Sequence, residues 1–461
     1  MDIHYDTLIE TAEAIRTRQI SPVELTHMML DRIALVDPQL HSYATVTAEL
    51  ALAQAARAEK EILAGHYRGP LHGIPIAVKD IFDTGGIVTA SGMPLHAERV
   101  PEADATVVAR LADAGSVLLG KLQLTEGALA HHHPDITSPN NPWNTDYYAG
   151  ASSSGSGVAT AAGLCFGALG SDTGGSIRFP AAATGLTGLK PTWGRVSRHG
   201  MTPLAESLDH VGTLTRAAAD AGALLGVIAG PDPLDPTALT AVVPDYLDGL
   251  GSGIAGVRIG IDTRYNETGC DPAVVDAVRD AARVLENLGA TLREVSLPDY
   301  SGVVAHWGSI CAVEAAIAHE ATYPADAARY GRLAETLEAG RAVQAMDLMQ
   351  WHYERLAFTG ALATLFRDID LLVIPTQPRA DFTLADEAEE FSTAEGLAHF
   401  IRFATPFDMS GSPTITLPAG FTDKGLPLSF QLVARHLDEP LLIRAGDAYQ
   451  RATDWTERHP M

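Results

Sequence analysis

Cysteine is nearly missing from this chain: Cys165, Cys270 and Cys311 are the whole set in 461 residues. An odd, widely spaced trio without a C-x-x-C pair excludes a disulfide framework and a thiolate zinc site, and a reducing, cytoplasmic interior is the expected home. Positive charge is scarce too. Against 57 Asp and Glu stand 32 Lys and Arg, and the formal net charge of −25 repels phosphate backbones and anionic lipids, so neither nucleic acid nor a membrane is an expected partner. The apolar stretch Val158 to Leu169 is too short and glycine-broken to span a bilayer, and Met1 to Asp6 lacks the basic-then-apolar pattern of a signal peptide. Metal is not expected either. His131-His132-His133 offers three imidazoles, but adjacent side chains diverge and no acidic residue sits at ligand spacing, so the run reads as a loop and no cofactor is implied.

What the chain does have is 46% hydrophobic residues, enough for a large core and too many for disorder. It also has two Gly/Ser clusters. Gly150-Ala151-Ser152-Ser153-Ser154-Gly155-Ser156-Gly157 precedes the apolar run 158–169, which has helical length, and Gly170-Ser171-Asp172-Thr173-Gly174-Gly175-Ser176-Ile177-Arg178 follows it. A flexible linker would not resume at once into tightly packing residues, so these glycines let backbone approach backbone or ligand. Upstream, Gly73-Ile74-Pro75-Ile76-Ala77-Val78-Lys79-Asp80 has strand character and closes on a lysine. A lysine there either snorkels to water or does chemistry. With two serines it suggests a hydroxyl nucleophile and an amine base.

These segments carry a resemblance to the amidase signature family. It runs from Leu71 to Lys79, through Leu124-Thr125-Glu126 and both Gly/Ser clusters, to Gly188-Leu189-Lys190-Pro191-Thr192-Trp193-Gly194-Arg195-Val196-Ser197 and Ser412-Pro413 to Gly420. The resemblance implies a catalytic triad of Lys79, Ser152 and Ser176, a cis peptide at Ala151–Ser152, and a signature core over 71–200. Ala151 and Ser154 stand where the family usually has glycine, which touches loop geometry more than chemistry. An amide is a poor electrophile with a poor leaving group, so the site must supply an activated hydroxyl, stabilise the oxyanion and protonate the departing nitrogen. Lys79 can act as base only when neutral, hence desolvated. Ser152 would relay the proton between Ser176 and Lys79. The backbone N–H groups of Thr173, Gly174, Gly175 and Ser176 are the expected oxyanion donors, with Asp172 and Arg178 as an orienting pair.

Along the chain, helix and strand signals alternate. Ser21-Pro22-Val23-Glu24 opens an amphipathic helix with Leu25, Met28, Met29, Ile33 and Val36 on one face. Asp104 to Ala114 reads as a helix stopped by Gly115 and followed by strand 116–119; Asp271 to Leu288 reads as another, stopped by Gly289 and followed by strand 291–297. Further strands are expected at 257–261, 371–374, 414–417 and 428–433. Such alternation predicts an α/β protein, and the resemblance implies one large domain whose central mixed sheet carries helices on both faces. Segments 230–256 and 379–396 read as surface excursions, the acidic second one as a solvated loop in preference to a lining or cover of the site entrance. Residues 115–121 have phosphate-loop spacing, but Leu122 stands where Ser or Thr is required.

The expected function is cleavage of a small carboxamide, anilide or carbamate-like bond through an acyl-enzyme. The alternative is a glutamine-hydrolysing component of a tRNA-dependent amidotransferase. Pocket walls are expected from His131–His133, Tyr147, Tyr148 and a helical insertion over 301–353 bearing Trp307, Tyr323, Tyr330, Trp351 and Tyr353. A homodimer is what the resemblance implies for assembly.

Overall fold

A single sheet of eleven strands runs through the computed structural model, which describes residues 3–460. In chain order the strands are β1 (Tyr43–Val46), β2 (Pro75–Lys79), β3 (Val117–Leu122), β4 (Gly167–Asp172), β5 (Thr187–Lys190), β6 (His210–Thr215), β7 (Arg258–Ile261), β8 (Thr291–Glu294), β9 (Leu371–Pro375), β10 (Thr414–Phe421) and β11 (Pro427–Ala434). Their spatial order is β1-β3-β2-β4-β6-β5-β10-β11-β9-β7-β8. Parallel pairs β3/β2/β4 and β9/β7/β8 lie on either side of an antiparallel centre, so the sheet is mixed.

Strand residues alternate between faces, so burial at every position of a strand means that both faces are covered. Strands β2, β3, β4, β5, β6 and β9 are buried throughout, and the covering layers are helices. Helices Ala218–Ile228, Pro272–Asn287 and Glu439–Arg451 pack directly on strands, the first buried almost all round and the other two presenting an apolar stripe. The edges differ: β8 keeps three of its four residues exposed and β1 alternates.

Local signals explain most element boundaries. Ser21 caps helix Pro22–Leu40 by accepting the amides of Val23 and Glu24, but its own hydroxyl donates to Glu59, so only half of the expected capping box is present. On that helix Leu25, Met29 and Ile33 are buried while Met28 is 46% exposed, which narrows the expected apolar face. Gly115, at φ +82°, ends helix Thr106–Asp113, and strand β3 then occupies the phosphate-loop-like segment. The run 158–169 is not one helix. Helix Ser154–Ala161 begins inside the first Gly/Ser cluster, a turn through Gly163 follows, and the rest belongs to β4. Length and apolarity could not distinguish a helix from a helix-turn-strand there.

Helix Ser301–Ala318 is the one helix among the described residues long and apolar enough to cross a bilayer. In the fold it packs against helices Leu333–Ala342 and Ala345–Leu365.

Candidate active site

Parallel strands β2 and β4 lie side by side, with Val78 opposite Leu169, so their carboxyl ends bring Lys79 beside Ser171. Lys79 is fully buried, and its Nζ donates to Ser152 Oγ at 2.7 Å and to Ser171 Oγ at 2.8 Å. Ser152 reaches it from the first Gly/Ser cluster, through a cis Ala151–Ser152 peptide. The phenolic oxygen of Tyr148 accepts the Ala151 amide at 2.7 Å, and Ser152 O accepts the Thr125 amide at 3.3 Å, fixing the turn from both sides. The neighbouring serines tie this loop to β4. Ser153 Oγ donates to Ser171 O at 3.1 Å and Ser156 Oγ to Leu169 O at 3.0 Å.

Electrostatics favour an uncharged amine. Burial pulls Lys79 down to about 7, against smaller upward pulls from Asp172 and Asp209. Asp172 does not pair with it. Its carboxylate is engaged by Arg178, at 2.8 Å to Nη2 and 3.0 Å to Nε, and by the amides of Gly175 and Ile177. Burial alone would raise Asp172, but the Arg178 charge and hydrogen bonds hold it well below the usual carboxylate range. Arg178 also bridges to Asp408 Oδ2 at 2.5 Å, and burial pushes the Asp408 carboxyl well up against the pull of the Arg178 charge. The expected Asp172–Arg178 pair therefore extends to a third residue from a distant helix, Thr405–Met409.

The second cluster turns sharply after β4. Gly175 adopts φ +126°, and a Cβ there would lie 2.1 Å from the Phe179 ring; a Cβ on Gly174 would lie 2.3 Å from Trp307. No side chain fits at either position. Gly175 is not a free donor, because its amide donates to Asp172 Oδ1 at 2.6 Å. The amides of Thr173, Gly174 and Ser176 donate to no other described residue, which narrows the expected oxyanion donor set to these three. Thr173 is held from two directions: its Oγ1 donates to Asp209 at 2.6 Å and its carbonyl accepts Trp307 Nε1 at 2.8 Å. Burial pushes Asp209 up to about 6.

Ser176 is half-buried and lines a cavity of about 490 Å³. Its carbonyl accepts the Ser153 amide at 3.2 Å, so the two loops touch through backbone. Its hydroxyl makes no hydrogen bond to another described residue, so of the expected chain the Lys79–Ser152 link is formed and the Ser152–Ser176 link is not. Such hydrogen bonds often tighten only around bound substrate.

The cavity floor is apolar and buried, from Phe179, Leu204, Cys311 and Ile401, while Arg332 and Glu335 stand exposed at its rim. Of the expected wall residues, His131, Tyr148 and Trp307 line it. The others do not: His132 faces a neighbouring chamber, His133 accepts the Asp135 amide, Tyr323 donates to Glu338, Trp351 stacks on His306, Tyr330 packs on His319, Tyr147 lies under Lys424, and Tyr353 is exposed. The acidic segment 379–396 is not a solvated loop. It forms helix Leu384–Glu390, capped by Thr383, and contributes Ala388, Phe391 and Ser392 to the cavity wall. Its pattern of acids concealed the inward Phe391.

Unanticipated residues are Ser171, Asp209 and Asp408. Ser171 lies inside the second Gly/Ser cluster; Asp209 and Asp408 carry no local signal. Lys121, the lysine of the phosphate-loop-like segment, is a buried partner of Asp80 at 3.0 Å, and Ser154, at a usual glycine position, contacts His132 at 3.3 Å.

Comparison with known proteins shows the family and the fold. The Amidase family model matches residues 24–443. A Mycobacterium tuberculosis protein named "Putative amidase AmiD" is 46% identical over 454 residues, spanning 98% of this chain and 95% of that protein. A glutamyl-tRNA(Gln) amidotransferase subunit from a Geobacter species is 38% identical over 487 residues, covering 99% of each. The crystal structure of a bacterial aryl acylamidase superposes with a TM-score of 0.89 at 25% identity, covering 99% of this chain and 98% of that one.

Proposed function

This chain belongs to the amidase family, the amidase signature enzymes, and from that premise we propose that it hydrolyses small carboxamides, anilides or carbamate-like C–N bonds as a stand-alone enzyme, with Ser176 as nucleophile. The observation that carries this reading is a buried lysine near neutrality, hydrogen-bonded at 2.7 Å to Ser152 beside a cavity into which Ser176 opens. Neutral Lys79 draws a proton from Ser152 Oγ as Ser152 takes the proton of Ser176. Ser176 Oγ then bonds to the carbonyl carbon, and the oxyanion accepts from the free amides of Thr173, Gly174 and Ser176. As the C–N bond breaks, Ser152 gives its proton to the leaving nitrogen and is resupplied by Lys79. Water, deprotonated along the same route, releases the acid from the acyl-enzyme.

The likeness to the amidotransferase component favours a second reading, hydrolysis of glutamine within a larger complex. Free glutamine carries an ammonium and a carboxylate, for which the cavity offers only the exposed Arg332 and Glu335. The buried lining of Phe179, Leu204, Cys311 and Ile401 suits an apolar acyl group. Incubating the purified chain alone with acetanilide and with glutamine, and measuring aniline and ammonia, separates the two. Aniline release abolished by Ser176→Ala is the expected result; ammonia from glutamine with inert anilides would transfer the assignment to the second reading.

A further inference from the structure

A second chamber of about 350 Å³ adjoins the main cavity and shares with it the wall formed by Ala130, His131, Tyr148, Ala151, Arg332 and Ala388. The two differ in what else they touch. Ser176 and the free amides of Thr173 and Gly174 border only the larger one; Gly150, Ser154 and Glu387 border only the smaller. Given the reading above, on which this inference rests, the carbonyl oxygen and acyl group occupy the larger cavity. The nitrogen receiving a proton from Ser152 faces the chamber walled by the residues flanking that serine.

Glu387 is unusual there. It is half-buried, and its carboxylate makes no hydrogen bond and no ion pair with any described residue. Its neighbours on helix Leu384–Glu390 are engaged: Asp386 closes the Thr383 cap, and Glu390 pairs with Arg379 and His399. Arg332, the cation bordering the chamber, is exposed and turned to His131 at 3.4 Å. Burial with no compensating partner pushes Glu387 up to about 7. A carboxylate that lines a chamber and is paired with no cation, Arg332 included, is a receptor for one.

We propose that this chamber is the leaving-group subsite and that Glu387 selects amides whose departing amine carries a second, positively charged nitrogen. Direct binding of product amines tests this without requiring turnover. The probes are 4-aminobenzylamine, with a charged aminomethyl arm, and p-toluidine, its neutral counterpart, titrated calorimetrically into the wild-type chain and into Glu387→Gln. The wild type is expected to favour 4-aminobenzylamine by about tenfold or more, as one charge-assisted hydrogen bond allows. That ratio should fall towards one in the variant. Equal affinity of the wild type for both amines, or a preference that survives Glu387→Gln, overturns the proposal. Failure of the hydrolytic reading shows instead in the acetanilide assay, whatever the amines do.

Discussion

Lys79 touches two hydroxyls and no carboxylate, because Arg178 occupies the one acid, Asp172, that its field feels most. Its ammonium form is therefore penalised by burial without a compensating ion pair, and the neutral form can act as base near pH 7. On the proposed mechanism activity requires the deprotonated amine, so kcat/KM should climb with pH, pass half-maximum near 7 and level off above. Initial rates across that range check it; a profile flat through neutrality would show that Lys79 is not the titrating base. Ser171 contributes the second hydrogen bond to the amine. Ser171→Ala should lower kcat about tenfold with little change in KM, since about 1–1.5 kcal/mol of base positioning is lost without loss of substrate contact. At this scale the meeting of Lys79 with Ser152 was legible through the resemblance, because both belong to a long motif. Ser171 lay in the same motif yet its role was not, since only the register of β2 on β4 turns its hydroxyl to the amine.

The helices and strands around the site are joined by buried charge rather than by apolar contact alone. Arg178, at the start of helix Arg178–Thr184, ties the end of β4 through Asp172 to helix Thr405–Met409 through Asp408. Arg178→Leu strands both acids in a dry environment and should cost about 3–5 kcal/mol, read as a lower urea midpoint. A midpoint shift worth well under about 1 kcal/mol would mean that the three groups do not act as a unit. Seven of the eleven strands, β2, β3 and β7 to β11, fall within a few residues of the apolar runs where strands were expected. Strands β1, β5 and β6 were not anticipated, and two other stretches were misread. Residues 158–169 divide between helix and strand because their small residues pack equally well in either, and 379–396 hides a wall-forming helix behind its acids.

Over the whole molecule a net charge of −25 sets acid against acid across the surface. Screening should relieve that repulsion, so the thermal midpoint is expected to rise as ionic strength goes from about 20 to about 300 mM, measured by scanning fluorimetry. A falling midpoint would mean that favourable surface pairs, such as Arg258–Asp370, outweigh the repulsion. What the sequence determined by itself was the family and the layered α/β plan, because motif residues and hydrophobic periodicity are local properties written at fixed spacing. The tertiary structure alone decided which amides remain free for an oxyanion, which acid neutralises Arg178 and which carboxylate faces a chamber without a partner. Those depend on groups far apart in the chain meeting in a medium that excludes water, where a single contact changes charge state.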